Sequence, residues 1–340
     1  MKIIGFGNST GSKSWRIEHP FKYLRRLGHE AYVSDEGITD KALEWADVVV
    51  LNSITHKEGI AKIRERQVEY GLKVVVDSDD WGEVNPDSPF KKMHELNEAM
   101  FVIGRTMDIA DLVTCTTKHL VKQVASHNKN VKVLPNFMDL EFWDRPKLTN
   151  TSDKIRIGWA GSLTHLDDLK YIVPALKRIY QEYPVEYIFV GEQRIADLMK
   201  PVPVEAMLGV PFNAWPDKLH ALRLDIGLAP LLDTPFNRNK TNIKWMEYGI
   251  AKVPGVYSPT VYAHIDFEPK YGVVAYDQDH WYRAIKHLID YPQRRREIAD
   301  NSYLYITKRL GLKQHIGKWQ KEYLSILTQT PNRSTSVLSP

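Results

Sequence analysis

The chain of 340 residues has a single cysteine, Cys115. One thiol excludes an intrachain disulfide and any zinc-ribbon arrangement, so the fold must rest on its own apolar cores. No window approaches the ~18 consecutive apolar residues of a membrane span, and the apolar start at Met1–Gly7 is too short for a secretory signal. The expectation is a cytoplasmic protein with no integral membrane segment. Charge of one sign is scarce as well. The 46 Lys and Arg face 42 Asp and Glu, leaving +4, which permits an anionic ligand or nucleic acid without demanding one. Gly and Pro, at 19 each, exclude collagen-like and low-complexity chains. What remains is an ordinary globular composition, 43% hydrophobic and 26% charged, and at about 150 residues per domain the length fits two domains.

Short Val- and Ile-rich runs alternate with longer amphipathic stretches in both halves. Strands are expected at 2–6, 30–33, 47–51, 72–76, 111–114 and 131–134, with helices at 15–27, 56–70, 89–108 and 117–126. The polar stretch 144–153 lacks periodicity and reads as a linker. The pattern then restarts, with strands at 155–160, 186–190, 206–210, 225–228, 253–257 and 272–275 and helices at 165–183 and 239–251. From His280 to Leu327 nearly everything is helical. Such alternation marks parallel sheets covered on both faces. The expected fold class is α/β: two doubly wound, Rossmann-like domains, residues 1–148 and 149–305, facing across a cleft. A terminal helix at 306–328 crosses back to the first domain, and 329–340 form a flexible tail. In such sheets ligands bind beyond the carboxyl ends of the strands.

Four segments carry candidate chemistry. Gly5–Gly11 follows the first strand as a glycine loop of GxGxxxG spacing, with Asp35 at the end of the second strand where a dinucleotide enzyme holds its ribose. Val76–Trp81 carries Asp77, Asp79 and Asp80 at a strand end, suited to substrate contact, to a divalent cation, or merely to capping the next element. Ile155–Leu169 runs a strand into Gly161, Ser162 and His165, where backbone N–H groups at a helix start meet a phosphate or Thr164 simply caps the helix. Ala229–Pro254 is a polar loop entering a helix whose first turn holds Lys240 and Thr241, with Arg238 and Lys244 beside them. There cation and helix dipole act together on a diphosphate. Glu247, two turns on, has a carboxylate able to accept two hydrogen bonds from a ribose diol. The plainer alternative is a solvated amphipathic helix.

Taken in order, these pieces resemble the GT-B glycosyltransferases, most closely glycosyltransferase family 4. The resemblance spans roughly Lys2 to Leu327: Gly5–Gly11 with Arg16, Val74–Trp81, Ala110–Thr117, Val133–Asn136, Gly158–Ser162, Phe189–Glu192 and, most specifically, Phe236–Tyr248 with Val253–Pro254. It implies retaining transfer of a sugar from a nucleotide-diphosphate sugar, without metal and with no cofactor beyond that co-substrate. Glu247 matches the second glutamate of the family's E-x7-E motif, which binds the donor ribose. Lys240 and Thr241 fall beside the diphosphate, and Gly161 and Ser162 match the turn facing the phosphates. The donor-binding set is thus Gly7, Arg16, Gly161, Ser162, His165, Arg238, Lys240, Thr241, Lys244 and Glu247, and the catalytic set is Asp79, Asp80, Asn239 and Lys240. Three departures stand out. Asn239 replaces the first glutamate of E-x7-E, Asp79 and Asp80 occupy the region of a sugar-facing histidine, and the basic residue usual after Gly161 is missing.

Departure of a nucleoside diphosphate develops negative charge that cations and helix N-termini stabilise, and same-face attack makes positioning of the acceptor hydroxyl dominant. The acceptor domain carries scattered basic residues compatible with a glycan, a lipid-linked acceptor or a modified base in DNA, as in phage enzymes. Two alternatives stay open: an NAD-dependent oxidoreductase built on Gly5–Gly11 and Asp35, and a nucleotide-sugar-binding protein that has lost catalysis through Asn239.

Overall fold

A computed structural model describes residues 1–7, 10–34, 37–52, 57–82, 84–85, 91–262 and 267–329. Asp35, the helix starts expected at His56 and at Pro89, and most of the expected tail lie outside these. The chain divides into two compact units. The first comprises Met1–Asp139, Asn239–Thr241 and Gly311–Pro340, and the second Leu140–Arg238 and Asn242–Leu310.

The first unit is built on six parallel strands: β1 (Lys2–Gly7), β2 (Glu30–Val33), β3 (Val48–Asn52), β4 (Lys73–Ser78), β5 (Leu112–Cys115) and β6 (Val131–Val133), in the order 2-1-3-4-5-6. Central strands β3 and β4 are buried at every position, which explains their unbroken valine runs: a parallel strand covered on both faces has no solvent side to mark with polar residues. Cys115 ends β5 fully buried, and burial pushes its thiol up to about 12, so it packs as a small apolar residue. The carboxy-terminal segment joins this unit through Leu312 N–H donating to Met138 O at 2.8 Å and His315 stacked on Phe137 with centroids 3.8 Å apart.

The second unit holds β7 (Ile155–Ala160), β8 (Val185–Val190), β9 (Val204–Met207), β10 (Ile226–Ala229), β11 (Gly255–Tyr257) and β12 (Val273–Val274), again all parallel, in the order 9-8-7-10-11-12. This is the order of nucleotide-binding doubly wound sheets. Helix Leu166–Glu182 lays Leu169, Ile172, Val173, Leu176 and Ile179 into the core, the i, i+3, i+4, i+7 spacing of one helix face.

Several boundaries differ from the sequence reading. The first unit ends at Asp139, ahead of the polar stretch 144–153, because buried Trp143 packs against Phe142 and Phe212 and ties Leu140–Trp143 to the second unit. The terminal helical stretch is broken into Gln278–Asp290, Pro292–Arg309, Leu312–His315 and Gly317–Leu327, since Pro292 has no N–H to continue the preceding helix and Gly311 starts the return to the first unit. Helices Asp40–Trp45, Gln193–Asp197 and Trp215–Ala221 were too short to show periodicity.

Candidate functional site

In each sheet the strand order reverses at one place, between β1 and β3 in the first unit and between β7 and β10 in the second. The crevice outside the strand ends at such a reversal is where doubly wound sheets take ligands.

In the second unit, β7 ends at Ala160 and the chain passes through Gly161 and Ser162 into a 3-10 turn, Leu163–His165. A Cβ on Gly161 would sit 2.6 Å from the Trp159 ring, so only glycine permits this sharp exit. Ser162, rather than Thr164, precedes the turn, and its hydroxyl meets Thr164 Oγ1 at 2.7 Å. Helix Leu166–Glu182 follows with no side-chain cap. Asp168 in its first turn is 3% exposed. One of its oxygens accepts from Leu232 N–H at 2.7 Å and Asn237 Nδ2 at 2.8 Å, and the other faces His165 Nδ1 at 2.8 Å. Leu232 and Asn237 lie on the loop after β10, so one carboxylate joins both sides of the strand reversal.

That loop ends in a 3-10 turn, Asn237–Asn239, and the next helix is Ile243–Ile250. Lys240 and Thr241 therefore precede the helix, and Lys244 occupies its first turn, correcting the expected start at Asn239. Asn239–Thr241 belongs to the first unit, and the second resumes at Asn242. Glu247 is almost fully buried and accepts from Lys244 Nζ at 2.7 Å, and Lys244 also lies 5.7 Å from the Trp215 ring centre. Arg238 is turned onto its own loop, its Nε and Nη2 donating to Asp233 at 2.6 and 2.8 Å.

In the first unit, Gly5 and Gly7 lie inside β1 rather than in a loop beyond it. A Cβ on Gly5 would fall 2.4 Å from Ile17 Cγ2, and one on Gly7 2.9 Å from Lys13 Cγ. Both make room for the segment Thr10–Glu18, whose second half, Ser14–Glu18, is a π-helix. Arg16 on that π-helix is fully buried. Its Nε and Nη2 donate to the two Asp77 oxygens at 2.7 and 2.8 Å, Nη1 donates to Asn136 Oδ1 at 2.9 Å, and Trp319 covers its face. The guanidinium stays charged because Asp77's charge and hydrogen bonds outweigh the burial that would lower its pKa. Arg16 thus pins β4 to its surroundings.

Beyond β4 the acidic run does form a cluster. Asp79 accepts from the Ser12 hydroxyl and, at 3.3 Å, from Asn52 Nδ2. Burial raises its pKa, and the neighbouring Asp80 charge adds to the shift. Both Asp80 oxygens lie 2.8 Å from Lys240 Nζ. Asn239 Nδ2 donates to Trp81 O at 2.7 Å, and Asn136 Nδ2 to Thr241 Oγ1 at 3.2 Å. The structure thus brings Asp79, Asp80, Asn239, Lys240 and Thr241 together, and joins His165 to Asp168 and Lys244 to Glu247. Among the described residues no group of three or more His, Cys, Asp or Glu side chains is arranged to hold a metal ion. Asn52, Asn136, Asp168 and Asn237 were missed from sequence. The available signal was position, since Asn52 follows Val48–Leu51 at a strand end as Asp77 follows Val74–Val76.

No protein-family model matches the chain, and no curated protein matches it in sequence. Solved structures do match. Sucrose-phosphate synthase from Thermosynechococcus elongatus superposes with a TM-score of 0.68 at 11% identity, over 96% of this chain and 99% of that one. Anabaena HepE in complex with UDP-glucose gives 0.66 at 13% identity, over 96% and 100%. A glycosyltransferase from Rickettsia africae gives 0.66 at 11%, over 96% and 99%. With two six-stranded parallel sheets and likenesses running along nearly its whole length, the chain has the GT-B fold.

Proposed function

We propose that the protein transfers a sugar from a nucleoside-diphosphate sugar to an acceptor hydroxyl, with retention of configuration and without a metal, as glycosyltransferase family 4 enzymes do. The observation that carries the reading is Glu247: a buried carboxylate on the helix after the strand reversal, ion-paired with Lys244, in a fold shared with a protein solved with UDP-glucose bound. A buried carboxylate needs partners, and a ribose diol supplies two donors to it. Lys244 supplies a cation for the diphosphate, with the uncapped helix start at Ile243 adding its dipole. Stabilising charge as it develops on the leaving diphosphate accelerates the step.

Glu247→Ala tests the assignment. Losing hydrogen bonds to a charged acceptor costs about 1.5–3 kcal/mol, so nucleotide affinity is expected to fall roughly 10- to 100-fold in titration calorimetry. Unchanged affinity removes Glu247 from the donor site.

A further inference from the structure

Resting on that reading of the second unit as the donor side, we propose that Asp168 is a positioning residue. It holds His165 as the Nδ1–H tautomer, so that imidazole Nε2 accepts a hydrogen bond from a hydroxyl of the sugar being transferred. Asp168 is buried and spends one oxygen on Leu232 N–H and Asn237 Nδ2 and the other on His165 Nδ1. A carboxylate only accepts, so Nδ1 carries the proton, and in the neutral ring Nε2 is left with its lone pair. The ring itself is partly exposed, with 23% of its side chain open, beside Gly161 and Ser162 at the β7–β10 reversal.

The chemistry of this spot favours a neutral hydroxyl over a phosphate. The first turn of helix Leu166–Glu182 already carries Asp167 and Asp168, whose charge offsets the positive end of the helix dipole and repels a further anion. A fixed acceptor nitrogen suits a polyol, whose hydroxyls donate. The same carboxylate ties this histidine to Asn237, at the start of the turn that leads to Lys240, so ring orientation and loop position are set together.

Asp168→Asn separates the two roles. The amide oxygen can keep both donors from the β10 loop, while the amide nitrogen now presents N–H to His165 Nδ1 and drives the proton to Nε2. Nitrogen-15 NMR of the imidazole is expected to show protonated Nδ1 in the wild type and unprotonated Nδ1 in the variant. An unprotonated Nδ1 in the wild type overturns the proposal whatever the ligand. For function, wild type, Asp168→Asn, His165→Ala and the double variant are titrated with UDP and UDP-glucose, GDP and GDP-mannose, and ADP and ADP-glucose. The expected result is a loss of about tenfold in affinity for the nucleotide sugar in each single variant, the scale of one hydrogen bond. No further loss is expected in the double variant, and the nucleoside diphosphate itself should stay within twofold. Equal losses for nucleotide and nucleotide sugar, or none for either, overturn the proposal while leaving the donor-site reading intact. A wild type that binds no member of the panel removes the donor-site reading and the ligand role of Nε2 with it; the imidazole measurement then still decides the tautomer. Because His165→Ala leaves the Asp168 bonds to the β10 loop in place, it keeps the test sound if Asp168→Asn fails to fold.

Discussion

Arg16 separates a structural from a catalytic account of the first unit. Its guanidinium and the Asp77 carboxylate are both fully buried, joined by two hydrogen bonds of 2.7 and 2.8 Å, with a third bond to Asn136. In Arg16→Met, Asp77 keeps Thr114 as a hydrogen-bond donor but loses its counter-charge in a site closed to water. Breaking one side of a buried ion pair costs about 3–5 kcal/mol, a large share of the 5–15 kcal/mol typical of a whole domain. For a unit of this size that corresponds to a fall of roughly 6–20 °C in Tm. Arg16→Lys should recover only part of the loss, because an ammonium cannot reproduce the forked contact. The double variant Arg16→Met/Asp77→Leu should be more stable than Arg16→Met alone, since it leaves no unpaired charge. Urea unfolding followed by tryptophan fluorescence measures all three, helped by Trp319 lying over the guanidinium. An Arg16→Met protein that is as stable as wild type yet fails to bind nucleotide would refute the reasoning and return Arg16 to the donor.

Two further substitutions test neighbouring elements. Burial holds the His19 imidazole at about 4, below its ordinary 6.5, so the folded chain binds fewer protons than the unfolded one between those values. This contribution is complete above 6.5 and is lost as pH falls towards 4, roughly 3 kcal/mol in all. Urea midpoints at pH 7 and pH 5 should therefore converge in His19→Gln relative to wild type, and parallel pH profiles would contradict the assignment. Gly5→Ala places a methyl 2.4 Å from Ile17 Cγ2 and 2.9 Å from Phe21 Cε2. It should cost about 1–3 kcal/mol by overpacking with nucleotide affinity unchanged; the opposite pattern would show Gly5 facing a ligand.

Much of the architecture was legible because parallel sheets write themselves plainly in sequence. Valine runs such as Val48–Leu51 and Val74–Val76 are buried on both faces, and the helical face of Leu169–Ile179 has a clear period. Strand order was not legible, and strand order is what locates the ligand crevice: nothing local says that β10 lies beside β7. The residues that follow from that adjacency, Asp168 and Asn237, were therefore missed. What a sequence shows of a site depends on whether the arrangement is local. Gly161 does make the sharp turn after β7, and Glu247 does sit with Lys244 one turn away. The enclosure of Arg16 by Asp77 and Asn136, by contrast, is made by residues far apart in the chain and leaves no local mark. The helix beginning at Asn239 was misplaced: Asn239–Thr241 belongs to the first unit, which local helix propensity does not show.

The most direct test of the account is a thermal-shift series on the full chain with UDP, GDP, ADP and TDP, their sugars, and NAD(H), followed by donor consumption with whichever nucleotide sugar binds. A ligand that binds only the folded protein adds about 2.7 kcal/mol at a hundredfold excess over Kd, or roughly 5–10 °C for a unit of this size. The account expects that rise with one nucleoside diphosphate and its sugar, abolished in Glu247→Ala, and release of the nucleotide from the sugar when a hydroxyl acceptor is supplied. Stabilisation by NAD(H) alone, with no response to any nucleoside diphosphate, would contradict it.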